Sequence, residues 1–124
     1  MLNQIEVMIK IYQTYEVDWM GDKINNLSSI TRHHITKREH GGESSINNYA
    51  LLTKNSHRLL HYFEQYYPKE YYELNQLFLK LNRSQKPPTI EYYEEVREIV
   101  KRVKKRIKNS NHYNNKSKKK FKGR

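Results

Sequence analysis

The sequence predicts an α+β fold that is mostly helical, with one short two-stranded sheet. Three observations carry this. Segments at about 68–83 and 89–108 space their apolar residues as amphipathic helices do. Two short runs, Ile30–Ile35 and residues 46–52, have the β-branched or apolar character of strands and flank a polar loop that turns at Gly41-Gly42. From Asn109 onward the composition changes to Asn, Ser, Lys and Gly, which marks a basic tail over 109–124, expected to be disordered in the free protein. A chain of 124 residues has the size of one domain.

Taken in order, residues 2–14 fit two patterns. Ile5, Val7, Ile9 and Ile11 alternate as in a strand, whereas Leu2, Ile5, Ile9 and Tyr12 make a helical stripe. Gln4, Glu6, Met8 and Lys10 are good helix formers and favour the helix. Val17–Gly21 (VDWMG) sets the single Trp beside a Gly. The reading is a core Trp anchoring a turn, with base stacking by Trp19 as the competing role. Residues 25–29 are turn-like. After the second strand, Thr53 or Asn55 can cap a helix that carries His57 and His61 four apart, hence on one face. Pro68 suits the first turn of the next helix, whose stripe is Tyr71, Leu74, Leu77, Phe78 and Leu81. Thr89 is the expected cap of the last helix, and its seam is Tyr93, Val96, Val100, Val103 and Ile107. That seam packs on the body or on a partner.

Composition narrows the chemistry. There is no Cys, so disulfides and thiolate zinc sites are excluded. No apolar run reaches the ~20 residues that span a bilayer. The first residues carry acids and lack a basic start, unlike a secretory signal, so the expected location is cytoplasmic. The net charge of +11 is uneven. Residues 99–124 hold 12 Lys and Arg and no acid, while residues 1–98 hold 12 against all 13 acids, a net of −1. Such asymmetry points to a polyanion. The seam has no aromatic interfacial anchor beyond Tyr93, which argues against a membrane. Lys101, Arg102, Lys104, Lys105, Arg106 and Lys108 are therefore candidate phosphate contacts on the last helix. Arg32, Lys37, Arg38 and Arg58 are candidates nearer the histidines.

Five of the six histidines fall between residues 32 and 61, and four of them, His33, His34, His57 and His61, are spaced to build one metal site. His57 and His61 on one helical face can bind one divalent ion, and one of the pair His33-His34 can supply a third ligand. Neighbours in a strand point to opposite sides. His33 then serves as ligand and His34 as the base that deprotonates the attacking water. Asn48 either holds the loop after the first strand or orients His34.

The stretch HHITKREHGGESSINNYALLTKNSHRLLH resembles the HNH nuclease motif over about 30 residues: the His pair, the Gly-Gly turn, an Asn before Leu-Leu, and a helix with two histidines. Small bacterial and phage HNH proteins with VDWMG before the pair are similar as well. The resemblance implies a ββα-metal core with His33, His57 and His61 on the ion, His34 as general base and Asn48 as the structural Asn. Asn47 is also available, but the Leu-Leu spacing favours Asn48. His40 before the glycines and Tyr49 after the Asn depart from the usual pattern. On this reading residues 1–108 are one HNH-type domain with its motif core at 29–66. The function it implies is metal-dependent hydrolysis of phosphodiester bonds, in DNA sooner than RNA, with one divalent ion such as Mg²⁺, Zn²⁺, Mn²⁺ or Ni²⁺. Two rival functions are a non-catalytic nucleic-acid binder with a structural metal, and an interaction protein that docks a partner on the seam of the last helix.

Overall fold

The computed structural model describes residues 3–121, with side chains for 3–109. Helix α1 (Gln4–Tyr12) comes first. Strand β1 (Thr31–His34) pairs antiparallel with β2 (Tyr49–Leu52), and α2 (Lys54–Tyr66) follows at once. Helices α3 (Pro68–Ser84) and α4 (Ile90–Phe121) complete the fold. The architecture is α+β and mostly helical, as expected. Among the described residues no helix is long and apolar enough to cross a membrane.

Helix α1 resolves the ambiguous N-terminal segment. Asn3 caps it by accepting from Glu6 N, and Met8, Ile9 and Tyr12 are buried. Trp19 is fully buried between Tyr12 and Phe78 and donates its Nε1 hydrogen to Thr14. It therefore anchors the turn and offers no face to a base. The second strand is shorter than the expected 46–52. Residues Ile46–Asn48 form a 3-10 turn instead, because the Asn48 side chain claims the backbone of the loop opposite.

Four residues per strand make a sheet too small to stand alone. Both faces are covered. Arg32 on one face reaches Gln4 of α1, and His33 on the other reaches Asn75 of α3. All four residues of β2 are buried, so it reads as a continuous apolar run. Thr53 caps α2, accepting from Ser56 N, and Asn55 takes no part in the cap. Thr89 caps α4 through Tyr92 N.

The seam of α4 keeps Val96 and Val103 of the expected one and turns part of a position towards Tyr92 and Ile99. Tyr92, Val96, Ile99 and Val103 are buried, whereas Tyr93, Val100 and Ile107 are partly exposed. It is filled within the chain: these residues join the core cluster that includes Leu74, Phe78 and Leu81 of α3. The helix also runs past Lys108 to Phe121, with no Pro or Gly over Asn109–Phe121 to end it. The disordered tail expected from Asn109 thus has a helical backbone as far as Phe121, and residues 122–124 lie outside the described residues.

Asp18 ties these pieces together. Its carboxylate is fully buried and accepts from Met20 N, Asp22 N and Thr53 N at 2.8–2.9 Å. Asp22 in turn accepts from the Thr53 hydroxyl, and Trp19 N donates to Leu51 O. One short loop thereby fixes the end of β2 and the start of α2. Asp18→Asn replaces one acceptor by a donor facing an N–H. The expected cost is about 3 kcal/mol of unfolding free energy. A urea titration followed by Trp19 fluorescence measures it, and a loss under ~1 kcal/mol would show that these bonds do not set the loop.

Candidate metal and catalytic site

The pairing of β1 with β2 and the packing of α2 and α3 beneath them bring three of the four histidines together. The His33 and His57 rings are 5.9 Å apart, edge to face, and those of His57 and His61 are 4.8 Å apart and nearly parallel. His33 is buried, His57 half-buried and His61 exposed.

The hydrogen bonds assign a tautomer to each ring. The Thr31 hydroxyl donates to Leu52 O, so it can only accept from His57, whose Nδ1–H donates to it at 2.8 Å. Asn75 Oδ1 accepts from His33 Nε2–H at 2.8 Å. Glu64 Oε1 stands 3.4 Å from His61 Nδ1, the weakest of the three contacts. Each imidazole thus offers its other nitrogen bare: Nδ1 of His33, Nε2 of His57 and Nε2 of His61. A metal-binding histidine needs this arrangement, one nitrogen oriented by an acceptor and the other left as ligand.

The protonation states agree. Burial pushes His33 down to about 4, against the opposing pull of its bond to Asn75. Burial lowers His57 too, aided by the neighbouring His61. Both rings are neutral at pH 7, the form that binds metal. Among the described residues no three His, Asp or Glu side chains stand as a ready-made ligand cluster. The donor chemistry nevertheless fits a divalent ion of borderline softness.

His34 stands apart from the three. It is the cross-strand partner of Tyr49, meets that ring edge-on at 5.1 Å, and its Nε2 is 3.3 Å from Ser44 Oγ. Successive strand residues face opposite ways, so His33 points to α3 and His34 to the loop side.

The Asn48 side chain makes its hydrogen bonds to the loop and not to His34. Its Oδ1 accepts from Thr36 N, and its amide donates to Thr36 O and Glu43 O, each at 2.8 Å. That uses both of its hydrogens and clamps the 36–43 loop, the first of the two roles open to it. Gly42 is part of the clamp: a Cβ there would lie 1.8 Å from Thr36 O and 2.9 Å from Asn48 Nδ2. Gly41 turns the chain with φ +87°.

The candidate phosphate contacts divide. Arg102 pairs with Glu73 at 3.0 Å, and Arg106 pairs with the buried Glu70 at 2.9 Å. Both therefore hold α4 on α3. Lys37 pairs with Glu64, and Arg32 lies over the Tyr49 ring and bonds Gln4. Arg38, Arg58, Lys101, Lys104, Lys105 and Lys108 are exposed and form no ion pair among the described residues.

Sequence reasoning missed Thr31, Glu64 and Asn75, which orient the three rings. Asn75 lies on the buried side of the α3 stripe, next to Leu74, so a polar residue at an apolar position was its only signal.

The low value of His33 has a consequence for stability. The unfolded chain takes up the proton near pH ~6.5 while the folded one resists until about 4, so protons favour unfolding as pH falls between them. In EDTA, the free energy of unfolding should drop by about 2 kcal/mol from pH 7 to pH 5, and His33→Asn should lose most of that dependence. Urea midpoints at the two pH values provide the test; the same drop in both proteins would assign it elsewhere.

Compared with protein-family models, with curated proteins and with solved structures, the chain matches none.

Proposed function

We propose that the chain is a metal-dependent endonuclease of the HNH type that hydrolyses phosphodiester bonds in nucleic acid, DNA in the first place. In this reading β1, β2 and α2 form the ββα-metal core. The observation that carries it is the set of three adjacent imidazoles, His33, His57 and His61, each with one nitrogen tied to an acceptor and the other bare.

His33, His57 and His61 would hold one divalent ion (Mg²⁺, Zn²⁺, Mn²⁺ or Ni²⁺). Once bound there, it offsets negative charge on the phosphate and on the leaving oxygen. His34 accepts a proton from the water whose oxygen attacks phosphorus. The bond from phosphorus to the leaving oxygen breaks, and that oxygen takes up a proton. Tyr49 and Ser44 hold the His34 ring for this task. Asn48 is a positioning residue: it fixes the loop that carries Lys37 and Arg38 without touching substrate. The exposed Arg38 and Arg58 would hold phosphates of the strand being cut, and Lys101, Lys104, Lys105 and Lys108 would grip the backbone elsewhere.

A plasmid-nicking assay with a panel of divalent ions tests this. Cleavage that needs the ion and falls at least about 100-fold in His34→Ala is expected. Cleavage that survives both EDTA and that substitution would sink the proposal. No nicking with any ion, beside a salt-sensitive gel shift, would replace it with a non-catalytic binder on the same scaffold.

A further inference from the structure

The flank of α2 away from the histidines carries an exposed aromatic cluster. Tyr62 and Tyr66 are 40% and 57% exposed, with ring centroids 4.9 Å apart and planes tilted by 49°. Tyr67 adds a third ring 6.0 Å from Tyr62. Because the rings are tilted, Tyr62 and Tyr66 do not cover each other face to face. Single exposed tyrosines are ordinary on a surface, whereas these contacting rings make one contiguous aromatic face.

Cations lie on the same helix stripe and on the neighbouring helix α4. Arg58, Tyr62 and Tyr66 follow one another at four-residue spacing, so they form one stripe along α2 with no acid on it. Leu59 of α2 lines one cleft with Val100 and Lys104 of α4, and farther along the Arg106 guanidinium lies 4.7 Å over the Tyr67 ring. Lys108 stands one turn beyond Lys104, and both lysines are exposed.

We infer that Tyr62 and Tyr66, together with Arg58, Lys104 and Lys108, stack the unpaired bases of a single nucleic-acid strand. Aromatic rings can meet base faces only where bases are unpaired, and the flanking cations suit the phosphates of the same strand. A protein partner at this patch would have to supply acids to match those cations, whereas a nucleic-acid strand brings its charge with it. His57 and Tyr62 are five residues apart on α2, with Arg58 between their two flanks. A strand reaching the histidines can therefore cross Arg58 to the tyrosines. This deepens the nuclease reading by naming the form of substrate, but the stacking itself requires neither metal nor cleavage.

The test is fluorescence anisotropy of the full chain in EDTA, with labelled 20-mer oligo(dT) and a duplex of equal length. Replacing Tyr62 and Tyr66 together by Ala should weaken the single strand about 10- to 100-fold and the duplex less than about twofold, while the paired Phe variant stays near the parent. Near-UV circular dichroism of Trp19 checks folding, which two exposed side chains should not disturb. Equal losses on both probes, or no loss on either, would overturn the inference. So would a change from dimer to monomer in light scattering of the Ala variant, which would assign the cluster to a second copy of this chain. If nicking fails but the selective loss is seen, only the nuclease reading falls. If nicking holds and the loss is absent, only the stacking falls.

Discussion

The structure depends on a buried carboxylate that serves as an acceptor for backbone. Asp18 binds three N–H groups, one of them 35 residues away at the start of α2. A carboxylate taken from water is costly unless its oxygens find donors, and charge-assisted bonds to N–H groups are the strong kind. Here they also join segments that the chain order would leave unrelated. With Trp19 N on Leu51 O and Asp22 on the Thr53 hydroxyl, the loop sets where β2 stops and where α2 begins. The spacing of His57 from the strands follows from that.

The same device recurs wherever the small sheet would otherwise be loose. Asn82 of α3 donates to Ile46 O and Tyr49 O and, through its own carbonyl, accepts from the Tyr12 hydroxyl. It connects α1, the entrance to β2 and α3 at one point. Asn48 does the equivalent for the 36–43 loop, and Asn75 and Thr31 do it for two of the histidine rings. A four-residue strand pair has few ladder bonds of its own. Buried amides and one carboxylate supply the register that longer strands would obtain from their pairing.

These amides explain what could and could not be read in the sequence. The helices were legible because their apolar spacing is long and regular, and Thr53, Pro68 and Thr89 mark their starts. The two strands were legible as short β-branched or apolar runs around a Gly-Gly turn. The grouping of His33, His57 and His61 was legible from four-residue spacing on a helix and alternation in a strand. The partners of those rings were not, since Asn75 sits 42 residues from His33 and only packing brings them together. On α4, Val96 and Val103 are buried as expected, but Ile99 takes the place expected of Val100, because the two are equally apolar and the tilt of α4 against α3 decides between them. A single Trp beside a Gly marks a core anchor, but the exposed rings of Tyr62 and Tyr66 carry no signal in a chain with 11 tyrosines.

The charge asymmetry, uniform in sequence, becomes two different things in three dimensions. Glu70 is nearly fully buried, with one carboxylate oxygen toward Arg106 and the other lacking a partner, so it would be poorly placed without that cation. Arg102 and Arg106 lie on the α3 side of α4 and fix its rotation against α3 through Glu73 and Glu70. That rotation decides which cations remain outside. Lys101, Lys104, Lys105 and Lys108 fall on the solvent side because Val96, Ile99 and Val103 face inward. Two arginines paired with internal acids thus leave four lysines on the solvent side of α4. The exposed positive face is consequently a property of the α3–α4 packing as much as of the lysine count.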